Sequence, residues 1–220
     1  MASFTDSMCD PAVRGFIHTP RAADGNAIIL THGAGGNCNA PLLVALAEIF
    51  SLKGITVLRC DLSFRQEGRS GPPFPAQAAR DRDGLRNAVA AMKKLVPGRV
   101  YLGGHSYGGR QSTMLCAEEP ELVCGLLLLS YPLHPPRKPE QLRTQHLPNL
   151  RTPSLFVHGT RDPFGSIEEM EQALRAVPAP VELLAIEGAG HDLGFSAKKA
   201  NNDLPQRVFS AWSAMAARTS

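Results

Sequence analysis

The chain has 220 residues, 43% of them apolar and 20% charged, which is the composition of an ordinary globular protein and excludes a disordered or fibrous chain. Lysine and arginine number 23 against 20 acidic residues, and a net charge of +3 is too small to point to nucleic acid. The longest strongly apolar run, Val123 to Leu129, falls far short of the roughly 20 residues that span a bilayer, so no membrane helix is expected.

The first ten residues lack the basic and apolar regions of a secretory signal. Five cysteines, Cys9, Cys38, Cys60, Cys116 and Cys124, are scattered without a C-x-x-C pair, which suggests neither a disulfide framework nor a zinc site. A cytoplasmic protein with reduced thiols is the expectation. The length predicts one domain over 1–220, with about the first twelve residues as a flexible tail.

Short β-branched or leucine-rich runs bounded by glycine or proline alternate with helical patterns. A single strand, Val13 to His18, is expected before Ala27 to Leu30, the first clear buried strand. Pro41 to Lys53 follows as a helix, with a proline suited to its first turn, Gly54 to stop it, and Leu42, Leu46, Ile49 and Phe50 on one face. After a strand at Ile55 to Leu58, the stretch Ser63 to Pro75 has no regular pattern. A helix from about Gln77 to Leu95 carries Leu85, Val89, Met92 and Val96 as a core stripe. Strands at Val100 to Leu102 and Val123 to Leu129 flank a helix beginning after Ser106. Tyr131 to Pro153 is irregular and proline-rich. Ser154 to Val157, a helix over about Ser166 to Ala176, Val181 to Ile186 and a helix from Leu204 to Ala217 complete the chain. Such alternation predicts an α/β fold, a mostly parallel sheet covered by helices on both faces.

Gly104-His105-Ser106-Tyr107-Gly108 lies directly between a predicted strand and a predicted helix. Small flanking residues permit the sharp turn that lifts a serine hydroxyl above a sheet, and the next backbone N–H can face an oxyanion. A serine needs a base and an orienting carboxylate to act as a nucleophile at neutral pH. Asp162 and His191 each follow a later predicted strand, so Ser106, Asp162 and His191 all fall at strand C-termini on one sheet edge. Asp192 is the rival acid, disfavoured because it adjoins the histidine. Thr31 to Asn37, a glycine-rich turn after the first clear strand, could present the Ala34 N–H beside the Tyr107 N–H as an oxyanion hole. It matches neither the phosphate-loop nor the dinucleotide glycine pattern.

His32 to Asn37, Gly104 to Arg110 and Gly188 to Asp192 together resemble the α/β-hydrolase superfamily, from His32 to the final helix. More narrowly they resemble a small hydrolase-like branch that includes a testis-expressed type and a chromatin-complex subunit, close to dienelactone hydrolases. The resemblance implies a single-domain α/β-hydrolase fold, Ser106 as nucleophile with Asp162 and His191 as partners, and no metal or organic cofactor. Dienelactone hydrolases carry cysteine at the position of Ser106, so their substrate does not transfer. Tyr131 to Pro153 is too short and too rich in proline for a substantial cap. Arg65, Arg69 and Arg110 lie at or beside the expected site and could hold a carboxylate-bearing substrate, although Arg65 or Arg110 could instead pair with Asp61. The expected function is a serine hydrolase acting on small acyl esters or thioesters, with neither nucleic acid nor membrane as partner. The rival is a hydrolase-like scaffold for protein interaction, which has no need to retain Ser106, Asp162 and His191.

Overall fold

A computed structural model of the protein describes residues 1–68, 73–195 and 203–218. Strands β1 (Ala2–Asp6), β2 (Val13–His18), β3 (Ala27–Thr31), β4 (Thr56–Cys60), β5 (Val100–His105), β6 (Leu126–Leu129), β7 (Ser154–Gly159) and β8 (Val181–Ile186) form one sheet. Their spatial order is β1-β2-β4-β3-β5-β6-β7-β8, with β3 to β8 parallel and β1 and β2 antiparallel.

Side chains alternate across this sheet, and each face acquires its own helices. Ile28, Leu30, Val57, Leu127, Leu129, Leu155 and Val157 meet α1 (Pro41–Leu52) and α6 (Leu204–Arg218), where Leu46, Phe50, Val208, Trp212 and Met215 are buried. Ile29, Leu58, Leu102, Leu126, Leu128 and Phe156 meet α3 (Ala78–Leu95), α4 (Tyr107–Glu118) and α5 (Ile167–Leu174) through Leu85, Val89, Met92, Leu115 and Met170. Parallel strands buried on both sides read as continuous apolar runs, which is why Leu126 to Leu129 shows no alternation. A capping box fixes the start of α5: Ser166 Oγ accepts from Glu169 N at 3.2 Å and Glu169 Oε2 accepts from Ser166 N at 2.7 Å.

The amino terminus departs from the expected tail. Ala2 to Asp6 pairs with Ile17 to Val13 as an edge hairpin, so two strands rather than one precede β3. Arg59, fully buried in β4, helps hold this edge: its Nε donates to His18 Nε2 at 3.0 Å and its carbon centre lies 5.2 Å from the Phe16 ring centroid. Phe4 and Ile17 pack against the core. Residues Ser63–Gln66, expected to be irregular, wind into the short helix α2, and a 3-10 turn at Pro75–Gln77 leads into α3. Arg69 lies outside the described residues. Tyr131 to Pro153 contains only a 3-10 turn at Leu147–Asn149, with no cap helix.

Chain direction around β3 locates the site. From β3 the chain passes through α1 to β4 on one side, then crosses by α3 to β5 on the other. Segments leaving β3 and β5 thus diverge and open a crevice at their C-terminal ends.

Candidate active site

Ser106 joins β5 to α4 with φ 51° and ψ −115°, a backbone conformation that a side chain adopts only when its surroundings impose it. Those surroundings are tight. The Ser106 amide donates to Leu129 O at 2.8 Å. A Cβ on Gly104 would lie 2.8 Å from the Gly108 carbonyl carbon, and one on Gly108 would lie 2.5 Å from His32 O. Only hydrogen at both positions lets helix, strand and β3 loop approach so closely.

Three side chains singled out in the sequence meet here. His191 Nε2 lies 2.8 Å from Ser106 Oγ, and His191 Nδ1 lies 2.8 and 3.0 Å from the two carboxylate oxygens of Asp162. A carboxylate only accepts, so Nδ1 carries the proton and Nε2 is left to accept from the serine hydroxyl. Asp162 is wholly buried in its side chain, while that of His191 is 23% exposed, so the imidazole reaches solvent and the carboxylate does not. The Phe164 amide also donates to Asp162 Oδ1 at 2.9 Å. Asp192 is exposed and, among the described residues, accepts only from the Gly194 amide, at 2.9 Å.

The loops bearing Asp162 and His191 are fastened together. Arg161 N donates to Ala189 O at 2.9 Å, and a Cβ on Gly159 would lie 2.3 Å from that same oxygen. The Phe164 ring stacks on His191 at 4.2 Å between centroids. His105 Nε2 donates to His191 O at 2.8 Å, bridging the serine turn to the histidine loop. Burial pushes the His105 pKa down to about 4, consistent with a neutral ring in that role.

The Thr31 to Asn37 loop turns through a Gly36 N to Gly33 O hydrogen bond of 3.0 Å, with Ala34 at its crest. Beneath it His32 is fully buried: Nδ1–H donates to Gly33 O at 2.8 Å and Nε2 accepts from Leu62 N at 3.1 Å. Burial lowers the His32 pKa, and with Nε2 accepting from an amide, its 3.4 Å approach to Asp61 is not an ion pair. The Ala34 and Tyr107 amides donate to no group among the described residues, and both residues line the pocket that holds Ser106. Tyr107 OH donates to the buried Asp81 at 2.8 Å, which fixes the residue carrying one of these amides.

That pocket has a volume of about 520 Å³ and includes Phe74, Met114, Pro132 and Phe164 on its apolar side. A groove of about 730 Å³ between the first strands and α1 contains none of the site groups. Arg110 lines the Ser106 pocket. Arg65 does not: it donates to Ala34 O at 2.9 Å, bracing the glycine loop from outside. Neither arginine takes the expected place on Asp61, which instead accepts from Cys38 N at 2.7 Å. Sequence reasoning missed His105, Phe164, Gln111 and Arg143. His105 had a signal, its place between β5 and the serine, whereas Arg143 reaches the pocket from a patternless loop.

Comparisons with known proteins follow this geometry. The family profile described as "Alpha/beta hydrolase domain" matches residues 24–219. A curated Escherichia coli (strain K12) protein named "Putative carboxymethylenebutenolidase" is 33% identical over 101 residues, a match spanning 42% of this chain and only 36% of that relative. Among solved structures, Est1E from Butyrivibrio proteoclasticus superimposes with TM-score 0.75 at 17% identity, covering 99% of this chain and 100% of that one. The dienelactone hydrolase of Anabaena variabilis gives 0.74 at 21% identity, covering 96% of each chain. XC6422 from Xanthomonas campestris, described as a serine hydrolase without lid, gives 0.74 at 18% identity, covering 96% of this chain and 94% of that one. At these identities the structural likeness establishes the fold, and the profile match establishes the family: the chain belongs to the alpha/beta hydrolase domain family.

Proposed function

We propose that the protein is a serine hydrolase that cleaves small acyl esters or thioesters through an acyl-enzyme on Ser106. The observation that carries this reading is the unbroken chain of hydrogen bonds from Ser106 Oγ through His191 to Asp162, placed beside two backbone amides that have no acceptor among the described residues. His191 Nε2 takes the Oγ proton as Oγ attacks the carbonyl carbon, and Asp162 stabilises the imidazolium. The Ala34 and Tyr107 N–H groups receive the developing oxyanion, one such donor being worth roughly 2.7–4 kcal/mol. His191 then protonates the departing alcohol or thiol, and the same histidine activates water to release the acid.

With no cap helix in Tyr131 to Pro153, the site is reached directly from solvent. The segments His32 to Asn37, Gly104 to Arg110 and Gly188 to Asp192 support placement in the narrower testis-expressed and chromatin-subunit branch. Five free thiols suit a reducing compartment, and the proposed location is the cytoplasm. No described helix is long and apolar enough to cross a membrane. Stopped-flow hydrolysis of p-nitrophenyl acetate and butyrate tests the activity: a stoichiometric burst in the wild type that is absent in Ser106→Ala is expected, and an equal rate in both proteins would overturn the assignment.

A further inference from the structure

The two amides of the proposed oxyanion hole belong to separate chain segments. Thr31 of β3 and Gly104 of β5 are the last residues of those strands to pair, and Ala34 and Tyr107 each lie three residues further on. Both N–H groups must sit within about 0.5 Å of their productive positions to stabilise an oxyanion, so their spacing has to be held by the surrounding structure.

The short helix α2 touches both segments. The amide of Leu62, its N-cap residue, donates to His32 Nε2 at 3.1 Å. Phe64 is 1% exposed, and its ring stands edge-on to one ring from each segment, His32 at 5.7 Å and Tyr107 at 6.0 Å between centroids. Arg65 Nη2 donates to Ala34 O at 2.9 Å, while its guanidinium lies 5.0 Å from the centre of the Phe64 ring. Asp81, in the first turn of α3, closes the circuit. Fully buried, it accepts from Phe64 N at 3.0 Å through Oδ1 and from Tyr107 OH at 2.8 Å through Oδ2. Burial raises the Asp81 pKa and both donors oppose that rise, so each bond stabilises the carboxylate. Ser63 Oγ donates to Arg80 O at 3.0 Å and ties the same turn of α2 to α3.

We propose that α2 and Asp81 together set the oxyanion hole: Arg65 is a positioning residue for the Ala34 amide, Asp81 is one for the Tyr107 amide, and Phe64 is the spacer between them. This rests on the esterase reading of Ser106. Neither Arg65 nor Asp81 lines the Ser106 pocket, so each acts through the residue it holds. Negative charge develops on the carbonyl oxygen in acylation and again in deacylation. A displaced donor slows both steps alike, so kcat falls while KM, which depends on their ratio, is unchanged. Losing one donor outright costs roughly 10²–10³ in kcat, and displacing one without losing it should cost about tenfold.

The test removes each hold in turn. Arg65→Met frees Ala34 O and Asp81→Ala frees the Tyr107 hydroxyl; Tyr107→Phe, which keeps the ring and loses only the bond to Asp81, serves in place of an Asp81→Ala that does not fold. With p-nitrophenyl butyrate each folded variant should lose about tenfold in kcat, with KM within about twofold of the wild type. Affinity for methylboronic acid, whose tetrahedral adduct on Ser106 sets an oxygen in the hole, should fall by a similar factor. Arg65→Lys and Asp81→Asn should recover most of the loss, because lysine still donates to Ala34 O and asparagine can accept from Phe64 N while donating to the Tyr107 hydroxyl oxygen. Unchanged kcat in the folded variants, a loss carried by KM, or equal losses in Asp81→Asn and Asp81→Ala overturns the positioning and leaves the esterase reading standing. Wild-type protein that cleaves no ester and binds no boronate overturns the esterase reading, and the positioning is then read from the Ala34 amide in proton–nitrogen correlation spectra. A resonance that shifts in Arg65→Met and returns in Arg65→Lys retains it, and an unmoved resonance overturns it.

Discussion

Replacing Asp162 with asparagine tests the internal logic of the site, because it changes one atom and no volume. In the native arrangement both carboxylate oxygens face His191 Nδ1, at 2.8 and 3.0 Å, and one also accepts from the Phe164 amide. An asparagine that keeps its oxygen on the Phe164 amide turns its NH₂ toward Nδ1. Nδ1 must then accept, the ring proton moves to Nε2, and Nε2 at 2.8 Å can no longer take the proton of Ser106. The opposite amide orientation sets NH₂ against the Phe164 N–H in a fully buried position. Either way the productive tautomer is lost, and kcat should fall by roughly 10³ to 10⁴, or about 4–5.5 kcal/mol of transition-state stabilisation. Single-turnover acylation with p-nitrophenyl acetate measures this directly, with circular dichroism to show that the variant folds. A loss below about tenfold in folded Asp162→Asn, or an equal loss in Asp192→Asn, would refute the reasoning.

Two further substitutions probe the scaffold. Gly108→Ala places a Cβ 2.5 Å from His32 O and 2.6 Å from Thr31 Cγ2, so the loop carrying Ala34 must shift; a loss of about 2 kcal/mol and a Tm lower by roughly 4–8 °C are expected. Gly35→Ala, whose Cβ meets nothing within 4 Å, is the control, and equal melting of the two variants would argue against a packed elbow. Stability should also fall with acidity. His18, His105 and His146 are each held down to about 4, chiefly by burial, against about 6.5 when unfolded, so between these values the unfolded chain binds more protons and is favoured as pH drops. His105→Gln, which keeps a donor for His191 O, should flatten the slope of unfolding free energy by about 1 kcal/mol per pH unit near pH 5. An unchanged slope in denaturant titrations would show that His105 is not buried neutral.

The parallel strands and the large helices were legible because each carries a strong, local burial pattern: Ile28 to Leu30 and Leu126 to Leu129 are buried on both faces, and Leu85, Val89 and Met92 on one. Ser106, Asp162 and His191 were legible for another reason. Each sits just past a strand, and a parallel sheet brings strand C-termini to one edge wherever they fall in the sequence. β1 was missed because Ala2 to Asp6 is an edge strand with mostly exposed side chains, and its pairing leaves little hydrophobic imprint. Arg65 was placed at the site by sequence, but α2 turns it onto Ala34 O. Arg143 shows the opposite failure. Its loop has no periodicity, and only the packing of residues 131–153 beside α4 and α5 carries it to the Ser106 pocket.

Covalent labelling reports the nucleophile itself. Wild-type protein treated with a fluorophosphonate probe, digested and analysed by tandem mass spectrometry should carry one adduct, on the Ser106 hydroxyl, and Ser106→Ala and His191→Ala should carry none or label far more slowly. An adduct at another residue, or no adduct on folded wild-type protein, would contradict the account and favour a hydrolase-like scaffold without turnover.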